Sequence, residues 1–180
     1  AMEIDAATRR NLELVRTLTG ERAGSLLHCI DRTVTGAGAR LLADRLAAPL
    51  TDPAAIGERL DSVQFFVGHP RLRGDLRAAL KQCPDIERAL SRLLLNRGGP
   101  RDLKALSGAL SEGERLAATI EQNGLAGPDG LVRDYLGALT LADKPALSAL
   151  IADLERAIQD EPPLLARDGG FVAENWRPEL

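Results

Sequence analysis

Apolar residues recur at steps of three and four almost from end to end of this chain. That is the period at which side chains return to one face of an α-helix, and it constrains the fold more than any other feature. Leu103, Leu106, Leu110, Ala117 and Ile120 form the longest such run. Leu131, Val132, Tyr135, Leu136 and Leu139 form a second, and Leu147, Leu150, Ile151, Leu154 and Ile158 a third. Composition sharpens the point: hydrophobic residues make up 44% of the 180 but aromatic residues only 3%. Leu, Ala, Ile and Val must therefore fill the core, which favours helix-on-helix packing over a β-sandwich. The length suffices for one well-buried core, and without an evident linker a single helical domain over 1–180 is expected.

Punctuation residues set the boundaries. Thr35 is placed to cap a helix carrying Leu41, Leu42 and Leu46. Asp52-Pro53 is an N-cap followed by proline at the first helical position, and Ile56, Leu60, Val63 and Val67 then line one face. Gly68 closes that helix, and Pro70 opens a shorter one with Leu72, Leu76, Ala79 and Leu80 on its face. Pro84-Asp85 restarts the chain, with Ile86, Leu90, Leu93 and Leu94 expected to face inward. Gly98-Gly99-Pro100 is a break, and Asn123-Gly124 through Gly127-Pro128 is a second loop. Beyond Pro162-Pro163, the run Leu164-Leu165-Ala166, Asp168-Gly169-Gly170, Phe171-Val172 predicts a short hairpin turning at Asp-Gly. Residues 4–30 are less regular, and there is no fixed-length repeat. The fold class is all-α, an irregular multi-helix bundle with a short β-hairpin near the C-terminus.

Little in the chain carries chemistry. A phosphate-binding loop needs glycines followed by Lys-Ser/Thr, and Gly36-Ala37-Gly38 and the Gly68 to Gly74 stretch lack that lysine. His28 and His69 have no carboxylate or cysteine at ligand spacing. Ser25 lacks a nucleophile elbow, and helix capping explains Asp85 and Glu87 better than acid–base work. Cys29 and Cys83 are expected to be small buried thiols. No catalytic, cofactor-binding or metal-binding residue emerges. Arg73 and Arg77, a helical turn apart beside Arg71 and Lys81, are the candidates for contact with a DNA backbone. A net charge of −3 and the absence of interleaved aromatics make a solvated face the better explanation. With no leader and no apolar run of spanning length, a cytoplasmic location is expected. Ala1 at one end and Arg177-Pro178-Glu179-Leu180 at the other suggest a processed chain or a cut portion of a longer one.

Sequence blocks add what physics alone does not. The first third runs Ile4-Asp5, Thr8, Arg10-Asn11-Leu12-Glu13-Leu14, Ser25-Leu26-Leu27, Asp31-Arg32-Thr33, Thr35, Gly38, Arg40-Leu41-Leu42, Leu46 and Pro49-Leu50. Arg59-Leu60-Asp61-Ser62-Val63, Asp85-Ile86-Glu87-Arg88, Arg92-Leu93 and Pro100-Arg101-Asp102-Leu103 follow in order. Pro162-Pro163 and Asp168-Gly169-Gly170-Phe171-Val172 come near the end. Together they resemble the core or lever region, domain III, of the MutS family of DNA mismatch-recognition ATPases. Asn175-Trp176 departs from that pattern, which usually has Gly-Tyr there.

The resemblance implies the part of the lever that precedes the inserted clamp, without the mismatch reader, the clamp or the ATPase. It implies no enzyme activity in this portion, with ATP and Mg as cofactors of the parent protein only. Implied partners are the other domains of the same chain, mismatched double-stranded DNA through the parent, and a second parent subunit in a homodimer, with no membrane and a bacterial cytoplasmic setting. It also implies an uncovered apolar face, expected on the long helices spanning 100–122 and 143–160, hidden by self-association or left loosely packed. Two rivals stand beside it: a module that itself grips duplex backbone, and a free-standing helical adaptor for another protein.

Overall fold

The computed structural model describes residues 2–123, 130–174 and 176. Among them run nine α-helices, with no strand. They are α1 (Ala6–Asn11), α2 (Leu26–Ile30), α3 (Gly36–Ala47), α4 (Pro53–Gly68), α5 (Pro70–Leu80), α6 (Ile86–Leu94), α7 (Pro100–Gln122), α8 (Leu131–Leu139) and α9 (Pro145–Ala157). Two compact units divide the chain, Ala1–Arg73 and Gly74–Leu180.

The first unit is built from short helices whose starts are closed by side chains. Asp5 accepts from the Thr8 backbone N–H and hydroxyl, both at 2.8 Å, at the start of α1. Glu13 then turns the chain at a φ of 48°, which lets the Leu26 and Leu27 amides donate to the Glu13 and Leu14 carbonyls at 3.0 and 2.9 Å. That pairing buries Leu14 and Leu27. Ser25, fully buried, donates to the Arg22 carbonyl and accepts from the His28 amide at the start of α2. Thr35 accepts from the Gly38 amide at 3.0 Å to begin α3. A Cβ at residue 38 would stand 2.9 Å from the Thr35 hydroxyl oxygen, so the cap itself calls for glycine. The blocks of the first third thus supply three side-chain caps, Asp5, Ser25 and Thr35.

Helix α4 starts as its sequence dictates, with Asp52 accepting from the Ala54 amide and Pro53 leading in. None of its residues is buried. The Ile56, Leu60, Val63 and Val67 stripe faces solvent, with Leu60 61% exposed. The half-buried positions on α4 are instead Ala55, Gly57, Arg59, Ser62, Phe65 and Phe66.

The second unit is organised on α7. This 23-residue helix packs against α6, α8 and α9. It buries Ala109, Leu116, Ala117 and Ile120, against which Val132 and Leu136 of α8 and Ile151 of α9 supply further buried positions. Two expectations fail here. The helices over 100–122 and 143–160 do not leave one apolar face open: α7 is covered around most of its surface, and on α9 only Leu150 among the large apolar residues is exposed. On α6 it is Ala89 that is buried, while Leu90 and Leu94 point outward, Leu94 at 74% exposed. A stripe of period 3.6 marks a helix, but it does not say which neighbour arrives to cover it.

The expected hairpin also takes another form. Residues Ala166–Asp168 wind into a 3-10 turn, and Gly169 and Gly170 both adopt positive φ. The chain then returns to the end of α9, not to Leu164-Leu165. Val172 bridges Ile158 in antiparallel fashion, with the Gln159 amide donating to the Phe171 carbonyl at 3.0 Å and the Ala173 amide to Ala157 at 2.8 Å. Two successive glycines in the left-handed region carry the strand direction past a tight two-residue turn. The loop from Gly124 to Pro128, together with Asn175 and Glu179-Leu180, lies outside the described residues.

Candidate functional site

Several residues considered for chemistry have a structural occupation. No group of His, Cys, Asp and Glu among the described residues could hold a metal ion. The His69 Nδ1 lies 2.7 Å from the Phe65 carbonyl, with its ring 4.6 Å from the Phe65 ring centroid, so it finishes α4. His28 is exposed on α2. Asp85 accepts from the Arg88 amide at 3.3 Å and caps α6. Cys29 is exposed, contrary to expectation, because α2 turns only Leu27 inward. Cys83 is half-buried; burial, then the nearby Glu112 carboxylate, pushes its thiol upward and keeps it protonated.

Arg73 and Arg77 both lie on α5, one turn apart. The Arg73 guanidinium donates to the Phe66 and Val67 carbonyls at 2.6 and 3.2 Å, so its charge closes the C-terminus of α4. Lys144 does the same for α8, donating to the Gly137 and Thr140 carbonyls at 3.0 and 2.6 Å. Arg77 is also engaged within the protein.

The arrangement that stands out is an elbow between α6 and α7. Gly98 and Gly99 form the bend: a Cβ at residue 98 would fall 2.6 Å from Leu93 Cδ2, and one at residue 99 would fall 2.5 Å from the Leu164 carbonyl oxygen. Neither position admits a side chain without moving its neighbour. Pro100 follows at the first helical position and is fully buried. Asp102, only 8% exposed, receives the Gly99 amide at 3.0 Å on one oxygen. On the other it takes the Arg92 Nε at 2.9 Å and an Arg92 Nη. Hydrogen bonding from Arg92 is the main reason the Asp102 carboxyl sits below its usual range. One carboxylate thus caps α7 and ties it to α6.

Long-range ties continue along α7. Arg101 Nε donates to the Pro162 carbonyl at 2.9 Å, Lys104 pairs with Asp160 at 2.8 Å, and Ser111 donates to Glu155 at 3.0 Å. The Lys104–Asp160 pair is solvent-exposed on its acidic side and adds little by itself. The buried Asp102 matters more, because it holds α6 to α7, while the Arg101 tie fixes the segment after α9 beside the elbow. Tied in this way, the constellation braces α6, α7 and the segment after α9. The sequence blocks flagged Asp85, Arg92, Arg101 and Asp102 separately, but nothing in their spacing revealed that Arg92 meets Asp102 across the double-glycine bend.

A family model described as MutS domain III matches residues 7–174. The chain is 52% identical over 181 residues to the DNA mismatch repair protein MutS of Caulobacter sp. strain K31, covering 99% of this chain and 20% of that protein. It is 51% identical over 179 residues to the protein of that name from Ruegeria pomeroyi, again covering 99% of this chain and 20% of the relative. With the one from Rhodopseudomonas palustris strain BisA53 the figures are 53% over 179 residues, 99% and 19%. The chain spans about a fifth of the length of these relatives.

Proposed function

The chain belongs to the MutS domain III family, and on that premise we propose that it is a lever segment, a braced helical element that couples mismatch engagement to an ATPase elsewhere in the parent protein. The observation that carries this reading is the elbow: α7 is packed against three helices, capped, and tied to α6 through one buried carboxylate. Close-packed helices deform little, so displacement at one end arrives at the other as rigid-body motion.

In this reading mismatched DNA, ATP and Mg are bound by other parts of a bacterial, cytoplasmic, homodimeric MutS, and this portion is not itself an enzyme. Among the described residues no helix is long and apolar enough to cross a membrane. The rival in which the segment grips duplex backbone directly, through Arg73 and Arg77, is weakened because the Arg73 guanidinium closes α4 and Arg77 also has a partner within the protein.

Fluorescence anisotropy of this chain against matched and mismatched duplexes, at low and near-physiological salt, separates the readings. No binding at either salt is the expected result. Binding that weakens steeply with salt and ignores the mismatch would replace the lever with a backbone grip.

A further inference from the structure

A concavity of about 410 Å³ opens beside the elbow, at the small end of the size range of ligand-binding clefts. Its walls combine two chemistries that the bracing does not use. One is cationic: Arg92, Arg97 and Arg101 all line it. Arg92 is matched by Asp102, the only carboxylate in the lining. Arg101 spends its Nε on the Pro162 carbonyl, and Arg97 has no side-chain partner among the described residues. Arg97 is therefore left without a carboxylate partner among the described residues, and Arg101 is bonded to a neutral carbonyl. The other chemistry is apolar. Leu164, 62% exposed, and Leu165 form the opposite wall, and Leu94 and Leu95 stand exposed at the end of α6 just before Arg97.

We propose that this cleft docks an acidic, leucine-bearing amphipathic segment of a partner protein. Its carboxylates would meet Arg97 and Arg101, and its apolar side chains would cover Leu164 and Leu165. Charge complementarity selects the acidic partner, because a cationic or neutral one would supply neither guanidinium group with a carboxylate. The exposed leucines argue against nucleic acid. Phosphates need only the arginines, and the lining offers no aromatic ring for a base to stack on. The walls are also pre-formed, since Gly98 and Gly99 hold the bend and the Arg101 tie fixes the facing strand. Binding would therefore cost little ordering of the site.

The test is anisotropy of a labelled synthetic Glu/Leu amphipathic peptide titrated with this chain, beside its Lys/Leu counterpart and a duplex DNA of similar length. Saturable binding of the Glu/Leu peptide is expected, with about tenfold or greater weakening for Arg97→Glu, for Leu164→Ser and for the Lys/Leu peptide. Both substituted side chains are exposed, so unchanged thermal melts should accompany the loss of affinity. Absence of saturation up to about 1 mM would overturn the proposal. So would equal binding of the Lys/Leu peptide, indifference to both variants, or tighter binding of the duplex through Arg97.

Discussion

Asp102 does with one side chain what most helix starts divide among several. It caps the α7 amides and holds Arg92, so its loss should be felt in both α6 and α7. Asp102→Ala is expected to lower unfolding free energy by about 1 kcal/mol or somewhat more in urea melts, the usual cost of a lost cap with an added tie. The sign of the pH effect follows from the direction of the shift. A carboxyl held below its ordinary range when folded contributes fully above its unfolded value, near about 4, and loses that contribution as pH falls through the folded one. The stability gap between the parent chain and Asp102→Asn should therefore be widest at neutral pH and narrow below about pH 4. A gap that widens in acid would mean that the carboxylate is not stabilised by folding. The cysteines give a second check at this scale. Cys29 should be alkylated well before Cys83 in a mass-spectrometric time course, because Cys83 is half-buried and its thiol is pushed up by that burial. Capping residues such as Thr35, Asp52 and Asp85 were legible in the sequence, because a cap is a local event. The Arg92–Asp102 tie was not, because it forms only once the chain has turned back through Gly98-Gly99.

Among the elements, α4 and α7 show what apolar period can and cannot tell. Both were placed by it, with α4 starting at Pro53 and α7 at Pro100 as the proline and capping signals indicate. Only α7 has neighbours that cover its stripe. Substituting Leu116 on α7 by Ala should cost about 2–5 kcal/mol, whereas Leu60→Ala on α4 should stay within roughly 0.5 kcal/mol, both read from denaturant midpoints. Comparable costs would mean that α4 is buried in solution by another copy of the chain. The open α4 stripe should also bind an apolar dye, and Leu60→Glu with Val63→Glu should reduce that signal without lowering the melting temperature. The segment after α9 was misread for a related reason. Asp168-Gly169 has the composition of a hairpin turn, but the partner strand was chosen by Ile158 at the end of α9, more distant in sequence.

The molecule as a whole offers two compact units, no metal cluster among its described residues, and a family membership that its ordered sequence blocks had already indicated. The family was legible because blocks spread over nearly the full length kept their order. The bracing was not, because it depends on contacts between residues far apart in sequence, such as Arg101 with Pro162. A lever and a DNA grip differ in what happens when the brace is loosened. The most direct measurement is mismatch affinity with and without ATP in an intact MutS carrying this segment, comparing the parent with Asp102→Asn. Coupling between two sites in proteins is typically about 5–150-fold. The expected result is that Asp102→Asn shrinks the effect of ATP on mismatch affinity several-fold, while nucleotide-free affinity stays within about twofold. An unchanged ATP effect alongside collapsed nucleotide-free affinity would contradict the lever and place DNA recognition in this segment.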